Sequence, residues 1–189
     1  MIDRHFMNEV LLDGRHDSRQ LRQALGRFVT GVTVVTTRTA QGHRSGLTAN
    51  SFSALSLDPP LVLWSMVRQS GSLESFVAAG QFAINVLALN QSDVSHHFAT
   101  AQGDRFSLHA FGEGLGGLPL LLGSLACFEC QTENTIDGGD HVLFIGRVQR
   151  IRWRDGQPLA FSAGQYCSTS AIAAHTSQAD LNAIWNGLG

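Results

Sequence analysis

Charge is scarce in this sequence. Asp, Glu, Lys and Arg make up 15% of 189 residues, against about a quarter in an ordinary globular chain. Its 13 basic and 15 acidic side chains leave a formal charge of −2, with no long run of either sign. That argues against nucleic-acid binding as the main business. No apolar run approaches the length needed to cross a bilayer. The N-terminal MIDRHFMNEVLLDGRHDSRQ is charged throughout and offers no apolar segment of the kind a secretory leader carries. Cysteine is rare too: Cys127, Cys130 and Cys167 are the only three. An odd count without a leader predicts reduced thiols in a soluble, cytoplasmic protein.

What is present in quantity is apolar surface, 43% of residues. With so few charges to cover the exterior, a homo-oligomer that buries part of each subunit is expected. The length suits one domain with a sizeable core. We place that domain over 20–167, between an N-terminal arm (1–19) and an Ala/Ser-rich tail (168–189) with a weak helical patch in LNAIWNGLG.

The pattern along the chain is strand-rich. DSRQLRQALGR (17–27) opens with an Asp/Ser cap and reads as a helix. FVTGVTVVTTRT (28–39) is β-branched and reads as a buried strand. Strands are expected over 46–57 and 61–67, joined at Asp58-Pro59-Pro60, and over 81–89. Short helices are expected over 72–79 and 91–102, then a Gly-rich loop over 107–117 and a short strand segment or lead-in over 118–122. SLACFECQTENTID (124–137) and HVLFIGRVQRIRW (141–153) flank Gly138-Gly139-Asp140 as a hairpin does, and one more short strand falls within 158–166. Strands in hairpins with few helices predict a closed or nearly closed β-barrel. A doubly wound sheet would need strand–helix alternation and a glycine-rich phosphate turn, which Gly31 alone does not supply.

Residues 46–72, GLTANSFSALSLDPPLVLWSMVRQSGS, carry the most chemistry. The first strand holds Thr48, Asn50, Ser51 and Ser53, and Ser70 and Ser72 follow the second strand beside Arg68. An apolar wall with short hydrogen-bonding groups and a basic, hydroxyl-rich loop suits a flat ring with a phosphate tail, such as flavin mononucleotide. The same pattern fits a serine-rich strand with its hydroxyls in water. Cys127 and Cys130, three apart in a strand, point to opposite faces and cannot share a metal ion. Adjacent His96 and His97 diverge by about 100° on a helix, so a solvated or partly packed pair is expected. No Gly-x-Ser-x-Gly elbow is present. Gly139-Asp140-His141 sets an imidazole beside a carboxylate in a tight turn, which is either an ordinary hairpin tip or a donor–acceptor for a carboxamide. Asp104-Arg105-Phe106 sets a guanidinium, suited to phosphate, beside an aromatic ring, or makes a common surface ion pair.

In order and spacing these pieces resemble the flavin reductase-like family, the FMN-binding split barrels. The matching segments are LRQALGRFVTGVTVVTT, GLTANSFSALSLDPPLVLWSM, GQFAINVLA, DRF at 104–106, ECQTENTIDGGDHVLFIGRV and GQY at 164–166. The resemblance spans roughly 20–166 and implies a mainly β, Greek-key split barrel, a homodimer with flavin near the subunit interface, and hydride transfer from NADH or NADPH to FMN or FAD. Relatives often supply reduced flavin to a partner monooxygenase. By similarity, Thr48, Ala49, Asn50 and Ser51 would meet the flavin ring and Ser65, Ser70 and Ser72 the ribityl-phosphate path. Asn85 would lie near the flavin, with Arg105 and Phe106 as the basic-Phe loop. His141 would serve the nicotinamide, with Tyr166 at the same mouth. A flavin carrier or sensor of the same fold without reductase activity is the alternative, and a split-barrel oxidase acting on a pyridoxamine phosphate ranks behind both.

Overall fold

The computed structural model of this protein describes residues 18–170. Nearly all of the expected N-terminal arm, and the helical patch near the C-terminus, lie outside the described residues. A helix, Ser18–Leu25 (α1), leads into the two-residue strand Thr30–Gly31 (β1) and the first barrel strand, Thr33–Arg38 (β2). Arg44–Ala49 (β3), Ser53–Ser56 (β4) and Leu61–Val67 (β5) follow. Next come helix Leu73–Ala79 (α2), strand Gln81–Val86 (β6) and helix Ser92–Thr100 (α3). A small ribbon, Phe111–Glu113 (β7) with Pro119–Leu121 (β8), precedes the long hairpin Ala126–Gly138 (β9) and His141–Trp153 (β10). Strands Ala160–Ser162 (β11) and Gln165–Cys167 (β12) end the described chain.

Seven strands make one antiparallel sheet in the order β3-β2-β6-β9-β10-β5-β4. Strict alternation gives the sheet one apolar inner face. On β5, Val62, Trp64 and Met66 point inward, and on β10 Val142 and Phe144 do the same. Trp64 stacks on Phe144 with centroids 4.8 Å apart, and Phe76 and Phe82 meet it edge-on at 5.1 and 5.7 Å. Such aromatic packing, with rings fully removed from water, is the main stabiliser of the barrel interior.

The strand expected over 46–57 is two strands on opposite edges of the sheet. β3 ends at Ala49, the chain crosses the open seam of the barrel at Asn50–Phe52, and β4 pairs with β5 on the far side. Asn and Ser compete for backbone hydrogen bonds with their own side chains, and Ser51 does so here. Its hydroxyl donates to the Ser65 carbonyl at 3.1 Å and accepts from the Ser65 N–H at 2.9 Å. One side chain therefore stitches the seam.

The stretch expected as loop over 107–117 contains β7, paired with β8. This ribbon is pinned flat on the barrel. Thr36 Oγ1 donates to the Pro119 carbonyl at 2.5 Å, and the Leu115 N–H donates to Glu129 at 2.6 Å. Gly117, at φ +77, passes so close to Arg38 that a Cβ there would lie 2.5 Å from its guanidinium nitrogen.

Candidate functional site

β3 carries the site on one of its two faces. Arg44, Gly46 and Thr48 alternate on the side covered by α3 and by the loop after it. Gly46 is required by that cover: a Cβ would come within 2.9 Å of Phe98 and 3.3 Å of Phe106. Without a side chain there, both rings press onto the strand. Thr48 Oγ1 then donates to the Ser95 carbonyl at 2.6 Å, which ties α3 to β3.

A cleft of about 620 Å³ opens where the β3 end, the 70–72 loop and the 103–106 loop converge. It gathers Ser70, Ser72, Arg105 and Phe106 from the expected set, and adds His43, Arg44 and Ser45. Its size is that of a small-molecule or cofactor pocket. Arg105 is fixed by its own backbone surroundings: Nε donates to the Ala101 carbonyl at 3.0 Å and Nη1 to the Gly46 carbonyl at 2.7 Å. His97 Nε2 lies 3.2 Å from the Arg105 carbonyl and so steadies the same loop, while His96 stays exposed. Phe106 is buried among Phe98 and Phe111, and the Arg44 guanidinium sits 4.8 Å from its centroid. Asp104 accepts from the Phe106 N–H at 2.9 Å and shapes the turn.

His141 begins β10, next to the end of β5 that leads into the 68–72 loop. It pairs with Val67 across β10 and β5, and the Arg68 N–H donates to the Asp140 carbonyl, so the Gly139-Asp140 turn abuts the 68–72 loop. The His141 Nδ1 is 2.7 Å from Asp140 Oδ1. A hydrogen bond from His141, strengthened by its charge, holds the Asp140 carboxyl below its ordinary range. Arg68 pairs with Asp137 at 2.8 Å on the other side of the turn.

The remaining expected residues divide. Asn50 is exposed in the crossover, Ser51 and Ser65 meet at the seam, and Ala49 turns into the barrel core. Tyr166 donates to Ser95 Oγ at 2.8 Å and packs on Phe161. It therefore joins Thr48 through Ser95, and no contact links it to His141 among the described residues.

Asn85 must be corrected. It is completely buried, and its amide is fully used: Nδ2 donates to the Val34 carbonyl and Thr36 Oγ1, while Oδ1 accepts from the Leu121 N–H and the Cys127 thiol. No donor or acceptor is left for a ligand. Its place is between the barrel and the β7–β8 ribbon. A polar residue in an apolar strand reads the same from sequence whether it serves a ligand or a neighbouring backbone. The place of Arg44 in the cleft lining is not legible in the sequence for the opposite reason: a lone arginine at a strand start looks like solvent-facing charge. The period-2 alignment of Arg44, Gly46 and Thr48 was the available signal.

The cysteines occupy opposite faces of β9. Cys127 faces Asn85 and Cys130 lies in the barrel core. Burial pushes the Cys127 thiol up to about 11 and Cys130 to about 12, so neither is a thiolate at neutral pH. Among the described residues no three His, Cys, Asp or Glu side chains gather as metal ligands do.

A flavin with a phosphate tail fits this donor set. Arg44, Arg105 and the Ser70 and Ser72 hydroxyls would take the anionic end, and the β3 edge leading to Asn50 would take the ring. Comparison with known proteins points the same way. The flavin reductase like domain matches residues 25–170. The FMN reductase (NADH) SmoA of Agrobacterium fabrum is 45% identical, over 83% of this chain and 89% of that protein. The reductase component of the flavin-dependent trigonelline monooxygenase of Acinetobacter baylyi is 41% identical over 82% of this chain, which spans 50% of that relative's length. Among solved structures, the NADH:FAD oxidoreductase SgcE6 of Streptomyces globisporus, in complex with NAD and FAD fragments, superposes with a TM-score of 0.81. It is 36% identical, over 88% of this chain and all of that one.

Proposed function

This chain belongs to the flavin reductase-like family, and on that premise we propose that it is an NAD(P)H:flavin oxidoreductase whose flavin lies in the cleft between β3 and the 70–72 and 103–106 loops. The observation that carries this is the convergence of Arg44, Arg105, Ser70 and Ser72 in one cleft, with the His141–Asp140 pair on a turn bonded to the 68–72 loop. The flavin, when bound, supplies the ring that accepts hydride from the reduced nicotinamide. The chain's own task is placement. Arg105, locked by two carbonyls, presents a pre-organised cation to the phosphate tail. Asp140 accepts the His141 Nδ1 proton, which leaves Nε2 to meet the nicotinamide carboxamide. No acid–base pair is required, because hydride transfer needs none from the protein.

FMN is the expected flavin and NADH the expected donor, as in the A. fabrum relative's name. We further propose a cytoplasmic homodimer that hands reduced flavin to a monooxygenase. For the dimer, support comes from uncovered apolar surface. Antiparallel sheets facing water alternate apolar and polar residues, yet the outward positions of β5 and β10 carry the half-buried Leu61, Leu63, Leu143 and Ile145. α1 buries none of its residues, and Phe28 beyond it is 77% exposed. Light scattering should give twice the chain mass of 20.4 kDa, and a monomer would remove the dimer.

The functional test is aerobic NADH and NADPH oxidation with FMN, FAD and riboflavin added in turn. Flavin-dependent turnover is expected. Tight flavin binding with no oxidation of either nucleotide would instead make the protein a carrier.

A further inference from the structure

We propose that Arg44 is a specificity residue of the cleft: together with Arg105 it reads the phosphate of the flavin tail and selects phosphorylated flavins over riboflavin. The inference rests on the assignment of this cleft as the flavin site. Every one of the 13 basic side chains counted beside histidine is an arginine, so the question is which of them remain for an anion. Arg38, Arg68, Arg147, Arg150 and Arg152 are all paired with carboxylates. Arg44 and Arg105 have no such partner among the described residues, and both line the cleft. The one carboxylate beside them, Asp104, is engaged with the Phe106 N–H.

The two guanidiniums are held differently. Arg105 is clamped by the Ala101 and Gly46 carbonyls. Arg44 is exposed but lies over the Phe106 ring at 4.8 Å, so a cation–π contact keeps it at the cleft mouth. Arg105 reaches the carbonyl of Gly46, two residues along β3 from Arg44, which brings both heads to the same end of the strand. Ser70 and Ser72 line the same cleft. A phosphate monoester carries up to two charges at neutral pH, and two guanidiniums with hydroxyls nearby match it. Riboflavin, which lacks the phosphate, would gain nothing from either.

The test measures dissociation constants of FMN, FAD and riboflavin by flavin fluorescence, with NADH oxidation run in parallel, for the wild type, Arg44→Gln and Arg44→Lys. Arg44→Gln is expected to weaken FMN about tenfold, the size of one partly exposed charge-assisted contact. Riboflavin affinity should not change, and Arg44→Lys should recover part of the loss in FMN affinity. A greater loss for FMN than for FAD would show that the dianionic monoester is read; equal loss would show that the phosphate shared by both is read. Equal weakening of FMN and riboflavin, or no change in either, would overturn the proposal, as would a rise in the NADH Michaelis constant alone. Selective FMN weakening in a protein that oxidises no NADH would leave Arg44 in place and remove the reductase assignment instead.

Discussion

His141→Ala is expected to lower kcat/KM for NADH by about 30-fold, the equivalent of one hydrogen bond to an oriented substrate amide, while FMN affinity stays unchanged. The expectation follows from where the side chain sits. Its Nδ1 is committed to Asp140 at 2.7 Å, so Nε2 is the ring nitrogen left available. The turn that carries it is locked to the 68–72 loop through the Asp140 carbonyl. In the nicotinamide role proposed for it, loss of the imidazole removes an orienting contact and leaves the cleft intact. Asp140→Asn should act in the same direction but less strongly, because the amide oxygen still accepts the Nδ1 proton. Steady-state kinetics of both variants against NADH, beside FMN titrations, check this. Unaltered kinetics in His141→Ala would remove His141 from the nicotinamide site.

The second large effect is on stability. Glu129→Gln is expected to destabilise the fold by about 3 kcal/mol at neutral pH, the lower end for breaking a buried ion pair, since Arg150 keeps one side in solvent. The Glu129 carboxylate is completely buried and receives both arms of Arg150 at 2.6 and 2.7 Å, besides the Leu115 N–H. Burial by itself pushes its pKa up. The Arg150 and Leu115 hydrogen bonds and the charges of Arg150 and Arg152 outweigh that, so the net direction is down from 4.5. A depressed carboxylate contributes stability that is full above its unfolded value and disappears as pH falls through the folded one. Urea unfolding of wild type and variant should thus differ near neutrality and converge well below pH 4.5. A constant gap at all pH values would mean that packing, and not charge, is what Gln disrupts.

Much of the barrel was legible because alternation is a local property. Val62, Trp64 and Met66 on one strand, and Val142 and Phe144 on another, announce an inner face without knowledge of the partner strand. The break at Asn50–Ser51 was not legible, since it depends on the sheet having two edges for the chain to cross between. The β7–β8 ribbon was hidden by its glycines, which read as loop but allow close contact with Arg38 and Gln81. The DRF loop and the 70–72 serines, expected together from motif order and chemistry, converge on one cleft. The engagement of Asn85 with neighbouring backbone and the place of Arg44 in the cleft were not legible, because both depend on which face of a strand meets which loop. That is set by α3 and the crossover, not by either strand's own sequence.

The most direct test of the cleft as a place of flavin reduction is an anaerobic single turnover, in which the protein with one equivalent of FMN is mixed with NADH and the visible flavin band is followed. The expected result is full bleaching in the wild type, at a rate lowered by His141→Ala and, at subsaturating FMN, by Arg44→Gln. A flavin band that persists in the wild type with excess NADH and excess NADPH would contradict the account.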